Sequence, residues 1–228
     1  MDITIDNYRG IRKSFDRFID MRLWKKDILG HKYLIIFSIL FFILSIGSTY
    51  FAGNYADRAG SAVSSDIILD NLPTVNLSFI YFYGILLVFA ALFAYPLLKK
   101  ISYFHVVLIQ VSLLIMIRSV FICFTHLSHP ADAIITNMPV LSFMNFQNDL
   151  FFSGHTAIPF LGFLLFTNEK IRYFFLSMAV ILAATVLFMH VHYSIDVFSA
   201  VFITYGSFKI GNWLLKKFDA LEIEKYAY

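Results

Sequence analysis

Six long apolar stretches alternate with polar ones along the chain, at approximately 33–52, 77–98, 101–125, 150–168, 173–191 and 193–215. Each is near the roughly 20 residues that a helix needs to cross a bilayer. The first two hold no charged residue, the third holds Arg118, and the sixth holds Asp196 and Lys209. The fifth and sixth are joined by almost nothing, which predicts a tight antiparallel pair. The pattern predicts an all-α integral membrane protein. Six transmembrane helices form a core over 33–215, a basic segment covers 1–32 and a tail covers 216–228. Within the basic segment Ile11, Phe15, Phe18 and Leu23 fall near helical spacing, with Arg12, Lys13, Asp16, Arg17 and Asp20 between them. That arrangement suits an amphipathic interfacial helix with Trp24 as its anchor. The alternative is a solvated basic tail.

Composition agrees. Of the 228 residues 59% are hydrophobic and 14% charged, with 27 Phe and 13 Tyr. A soluble domain has about 25% charged residues. The net charge of +3 is small and gives no reason to expect a nucleic-acid partner. The single cysteine, Cys123, excludes disulfides within the chain and cysteine zinc sites. The first 30 residues lack an apolar core followed by a small-residue cleavage site, so the first membrane helix is expected to do the targeting. No internal repeat or second soluble domain is visible.

The placement of charge predicts orientation. With the N-terminus inside, the inner segments carry eight Lys or Arg before the first helix, then Lys99, Lys100, Lys170, Arg172, Lys216, Lys217 and Lys225. The outer loops, 53–76 and 126–149, carry only Arg58. Both termini are therefore expected in the cytosol. The polar islands Phe151-Phe152-Ser153-Gly154-His155-Thr156 and His190-Val191-His192-Tyr193-Ser194-Ile195-Asp196 then fall at the extracytoplasmic face, with Arg118 in the outer third of helix three. His105 falls near the other face and reads as interfacial.

Ionisable groups inside apolar segments are costly and mark functional sites. Ser153 suits an N-cap, with Thr156 in the first turn behind it. Gly154 permits close approach, and the free amides of a helix start favour an anion. His192 and Asp196 are four apart. A carboxylate there can hold one imidazole nitrogen and leave the other as base or nucleophile. Alternatively, Ser194 caps helix six and the pair depends on the turn. Arg118 is either a bidentate phosphate clamp or a snorkelling or structural partner of Asp149 or Asp132. Two histidines, a carboxylate and an arginine at an anion-friendly helix end suggest phosphoryl transfer on a lipid, with one histidine attacking phosphorus and the other protonating the leaving oxygen. A metal site at His155, His190 and His192 competes, but it lacks a second strong ligand pair at helical spacing, so neither metal nor cofactor is expected. A choline headgroup would need aromatic faces, and Tyr193, Phe151, Phe152, Tyr81 and Tyr83 are the candidates.

The two motifs at this spacing resemble the sphingomyelin synthase branch of the type 2 phosphatidic acid phosphatase superfamily. The likeness extends to Asp149 and to Arg118-Ser119 and covers roughly 33–215. It implies that His192 is the nucleophile forming a phosphohistidine, that Asp196 orients it, and that His155 is the general acid. Ser153, Gly154, Thr156, Asp149, Arg118, His190 and Tyr193 complete the expected substrate and phosphate site. The chain departs from the superfamily phosphatases: it has no Arg-Pro pair, and Thr185 and Val186 stand where Ser-Arg is expected. Those missing cations normally neutralise a phosphate monoester. A phosphodiester headgroup of the phosphocholine or phosphoethanolamine type carries one charge and suits Arg118 alone. The expected partners are a phospholipid donor, a lipid alcohol acceptor and the bilayer. A lipid phosphatase with water as acceptor is the alternative within this chemistry. A non-catalytic membrane protein or transporter with a His192–Asp196 proton relay is the alternative outside it.

Overall fold

A computed structural model describes residues 21–59, 62–99, 101–135, 146 and 148–217. The interfacial helix expected over 1–32 lies outside them up to residue 20, as does the tail beyond 217. Six α-helices are present among the described residues: α1 Met21–Ala59, α2 Ser78–Lys99, α3 Phe104–Phe124, α4 Gly154–Leu165, α5 Ile171–Phe188 and α6 Ser194–Lys217. They contain no named strand; one isolated bridge, Ala62 to Leu127, ties two loops at one end of the bundle.

Four helices are long and apolar enough to cross a membrane: α1 over Ile28–Ala59, α2, α3 and α5. The other two differ from the expected spans. α4 has 12 residues, about 18 Å of helix, where the apolar stretch predicted 150–168. Its start is delayed because the Arg118 side chain takes the carbonyls of Asp149 and Phe152. α6 has the length, with 24 residues, but Asp196, Lys209 and its terminal lysines dilute its apolar character. α1 starts earlier than residue 33. Residues 21–32 continue the first span as one helix, since no proline interrupts them.

α3 is the most enclosed helix, buried almost continuously from His105 to Ser112 and again at Leu114, Ser119 and Ile122. α1 packs along it through small residues, with Ser38, Ser45, Thr49, Ala52 and Ala56 all buried. Small side chains let apolar helices approach closely without a hydrophobic drive between them. Ser119 Oγ on α3 meets Ser48 Oγ at 3.1 Å and Thr49 Oγ1 at 3.2 Å. α4 packs on α5 and α6. At Gly162 an added Cβ would lie 2.5 Å from the Phe175 ring, an overpacking of the kind that costs about 1–3 kcal/mol. Large side chains such as Phe37, Leu40, Phe79, Leu87, Val180 and Phe202 point outward. Apolar outside and hydrogen-bonded inside is the arrangement a lipid solvent favours.

The turn between α5 and α6 has a physical stop signal. His190 adopts φ 54°, the left-handed region that histidine tolerates better than most residues. The Val191 amide reaches back to Val186 O at 3.1 Å and the His190 amide to Leu187 O at 3.0 Å. This is the Schellman closure of a helix end. Val186 and Val191 share one apolar cluster, which completes it. α6 begins four residues after His190, so His192 is presented on a short, fixed turn.

Candidate active site

α4 and α6 start side by side: the Ser153 amide donates to Asp196 O at 3.1 Å. The two motifs, some 35 residues apart in sequence, are thereby joined at one end of the bundle. Ser153 holds the cap position of α4 but makes no side-chain cap bond; its Oγ lies 3.4 Å from Thr156 Oγ1 instead. The expected cap is thus positional only, and the first amides of α4 keep no side-chain acceptor from it. Pro159 lacks the amide that would otherwise bond the His155 carbonyl. At Gly154 an added Cβ would meet only Arg118 Nε, at 4.0 Å.

His192 Nδ1 lies 3.3 Å from Asp196 Oδ2. The same oxygen accepts the Tyr193 amide at 3.0 Å, and Asp196 is fully buried. An imidazole held through Nδ1 presents Nε2 for chemistry. His155 is held differently. Its ring stacks on Tyr81 with centroids 4.0 Å apart and planes 22° apart, and it hydrogen-bonds the Tyr81 backbone. Its Nε2 is buried with no hydrogen-bond partner. His192 and Arg118 both lie within electrostatic reach of His155.

Arg118 donates Nε to Phe152 O at 2.8 Å and Nη1 to Asp149 Oδ2 at 3.3 Å, and its Nη2 bonds Asp149 O. It pairs with Asp149, not with Asp132. Burial pushes the Asp149 carboxyl above its ordinary value against the pull of Arg118 and His192. The structure therefore brings His155, His192, Asp196, Arg118, Asp149, Ser153, Gly154 and Thr156 to one place.

Two expected site residues are engaged elsewhere. His190 Nδ1 pairs with Asp132 Oδ2 at 2.9 Å, clasping the loop after α3 to the α5–α6 turn. Tyr193 is 2% exposed. Its hydroxyl donates to Ser128 O at 2.9 Å and accepts the Ser64 amide at 3.1 Å. It is a strut between loops and offers no open aromatic face. Tyr83 is exposed on the outer face of α2. Tyr81 is the aromatic residue that stacks on His155, and its spacing on α2 alone did not distinguish it from Tyr83. His105, expected at the interface, is 3% exposed and stacks with His31 at 5.8 Å. Among the described residues no three His, Cys, Asp or Glu side chains converge on a metal position.

The apolar helices fit an integral membrane protein, with a histidine–carboxylate cluster at one end of the bundle. Residues 148–213 match the family described as PAP2 superfamily C-terminal, a stretch that holds Asp149 and both histidine motifs. The match supports the superfamily and, with it, a lipid phosphatase or phosphotransferase type of activity. It speaks for the superfamily as a whole and not for one branch. No curated protein and no solved structure matches the chain.

Proposed function

We propose that the protein is a lipid phosphotransferase that moves a phosphodiester headgroup between lipids through a phosphohistidine on His192, in the manner of the sphingomyelin synthase branch. The observation that carries this reading is the meeting of the His192–Asp196 pair with His155 beside Arg118. His192 Nε2 attacks phosphorus and the bond to the diacylglycerol oxygen breaks. With the anionic phosphodiester bound beside it, His155 takes up a proton on Nε2 from solvent and gives it to that oxygen as the bond breaks. A lipid alcohol then enters, His155 removes its proton, the alcohol oxygen bonds phosphorus and the phosphorus–nitrogen bond breaks. Asp196 holds the His192 tautomer throughout. Arg118 and the first amides of α4 face the phosphoryl oxygens.

Arg118 is already paired with Asp149, so the cationic surplus at the site is small. A monoanionic diester fits that surplus better than a dianionic monoester. In this reading the chain crosses the bilayer six times, with both termini in the cytosol and the site on the extracytoplasmic side. α4 makes its pass together with the buried residues Leu150, Phe152 and Ser153 ahead of it. The lysines and arginines of the α2–α3 and α4–α5 loops and of the α6 end support that orientation. The family match favours one second reading, a lipid phosphatase with water as the acceptor.

The test uses purified protein, a donor labelled at phosphorus and a rapid quench without acceptor. Label should stay on the protein in an acid-labile, base-stable bond, and His192→Ala should lose both label and turnover. Equal trapping by wild type and His192→Ala would assign the nucleophile to another residue. Adding acceptor alcohols and resolving the products separates transfer from hydrolysis.

A further inference from the structure

Asp66 lies in the loop between α1 and α2, outside both motifs. It is 9% exposed, and its carboxylate accepts four hydrogen bonds. Two are local, from the amides of Ile68 at 2.9 Å and Leu69 at 3.2 Å to Oδ1. Two come from α6: the Ser194 amide to Oδ2 at 2.6 Å and the Ser194 hydroxyl to Oδ1 at 2.9 Å. Burial alone would raise the Asp66 pKa, but the bonds from Ser194, Ile68 and Leu69 outweigh it and hold it below the ordinary carboxylate value.

Ser194 opens α6, and its amide is among the four at a helix start that have no acceptor within the helix. A helix usually supplies its own cap from the residue just before it. Here the acceptor sits 128 residues earlier in the chain. The neighbouring residue, Tyr193, is tied through its hydroxyl to Ser64 and Ser128. The turn that carries His192 is thus held from the outer loops. The His192–Asp196 contact, at 3.3 Å, is at the long end of a useful hydrogen bond, so a small shift of that turn parts it.

We infer that Asp66 is a positioning residue: by capping Ser194 from the α1–α2 loop it fixes the first turn of α6 and the placement of His192 against Asp196. What the placement serves rests on the phosphotransfer reading; the placement itself does not.

The experiment compares wild type with Asp66→Asn, Asp66→Glu, Ser194→Ala and, as a control, Asp70→Asn, since Asp70 is exposed in the same loop. Each purified protein is assayed for initial rates on labelled phospholipids and for thermal midpoint. Each is also labelled with 15N-histidine, with the His192 ring signals assigned by their loss in His192→Ala. Asp66→Asn should lower kcat about 10- to 100-fold with KM changed less than about 3-fold, the scale of a small misplacement of reacting groups. Its His192 Nδ1 signal should move toward the position seen in Asp196→Asn. Asp66→Glu should recover part of kcat. Ser194→Ala, which keeps the amide bond, should lose less than Asp66→Asn, and Asp70→Asn should match wild type. Wild-type kcat with an unmoved His192 signal in Asp66→Asn would overturn the inference. So would a lower thermal midpoint with kcat and the His192 signal unchanged, which would leave Asp66 a loop anchor only. If wild type turns over no phospholipid, the phosphotransfer reading fails, and the His192 signal still decides whether Asp66 sets the pair.

Discussion

The bundle buries polar side chains at both ends, and the two groups behave differently. At the end away from the site, Gln110 of α3 is 0% exposed. It donates to Asn212 Oδ1 at 2.8 Å and to Phe208 O at 3.3 Å on α6. Gly211 leaves room for it; an added Cβ would lie 2.3 Å from Gln110 Oε1. Nearby in sequence, His105 stacks on His31. These groups join neighbouring helices by contact. At the site end, His155, Asp196 and Arg118 come from three helices and His192 from the turn before α6, and they are fixed by the α1–α2 loop, the loop before α4 and the backbone of α2. Their anchoring bonds use one nitrogen of each imidazole. Burial of a polar residue among membrane helices therefore does not by itself mark function, because interhelical bonds of this kind also serve packing. What separates the two ends is the convergence of Arg118, His155, His192 and Asp196, with Arg118–Asp149 and His192–Asp196 as charge pairs, against the amide contact of Gln110 with Asn212.

The sharpest way to break that comparison is to make one substitution at both ends. His155→Ala should lower turnover about 10²- to 10⁴-fold, the range of a general acid–base group. His105→Ala should change turnover less than about 3-fold and show itself instead as a lower thermal midpoint, as a lost packing contact does. Initial rates and thermal unfolding of the two purified variants check this. Similar losses of activity at both ends would erase the distinction.

Arg118→Lys is expected to have the next largest effect. An ammonium cannot reproduce the fork that spans Asp149 and the Phe152 carbonyl, so turnover should fall about 10- to 100-fold as the loop before α4 shifts. The guanidinium holds the start of α4 as well as facing the site. Stability should therefore fall too, by about 2 kcal/mol, the scale of a lost hydrogen bond to a charged group. Rates together with denaturant or thermal unfolding measure both. Unchanged stability with lost activity would mean that Arg118 serves substrate alone.

The smallest effect concerns the Asp132–His190 clasp, where Asp132 is 58% exposed. Hydrogen bonds from His190 and Thr74 hold the Asp132 pKa below its ordinary 3.8. A depressed carboxylate contributes stability above its unfolded pKa and loses it as pH falls through the folded value. The small stability gap between wild type and Asp132→Asn should therefore be present at about pH 6 and close below about pH 4. Thermal midpoints across that range test it. A gap that persists at the acid end would place its origin elsewhere.

Much of this was legible in the sequence because apolar runs and charge bias are local properties. The six helices fall where the apolar stretches lie, and the motif spacing brought His155, His192 and Asp196 forward with Arg118. Helix ends were less legible. α1 runs back to Met21 because nothing breaks it, while α4 starts late because a distant arginine occupies the carbonyls ahead of it.

By itself the chain's pattern determined that this is a helical, membrane-suited protein, and which side chains could carry its chemistry. Only the tertiary structure decided how they are used. Tyr193 and His190, within two residues of the nucleophile candidate in sequence, turn to Ser128 and Asp132 and serve as struts. Tyr81 and Asp66, outside both motifs, lie against His155 and Ser194. The physical reason is that a hydrogen-bond partner is chosen by distance in space. Nothing in the period of a helix tells Asp66 that its acceptor oxygens will meet an amide 128 residues away.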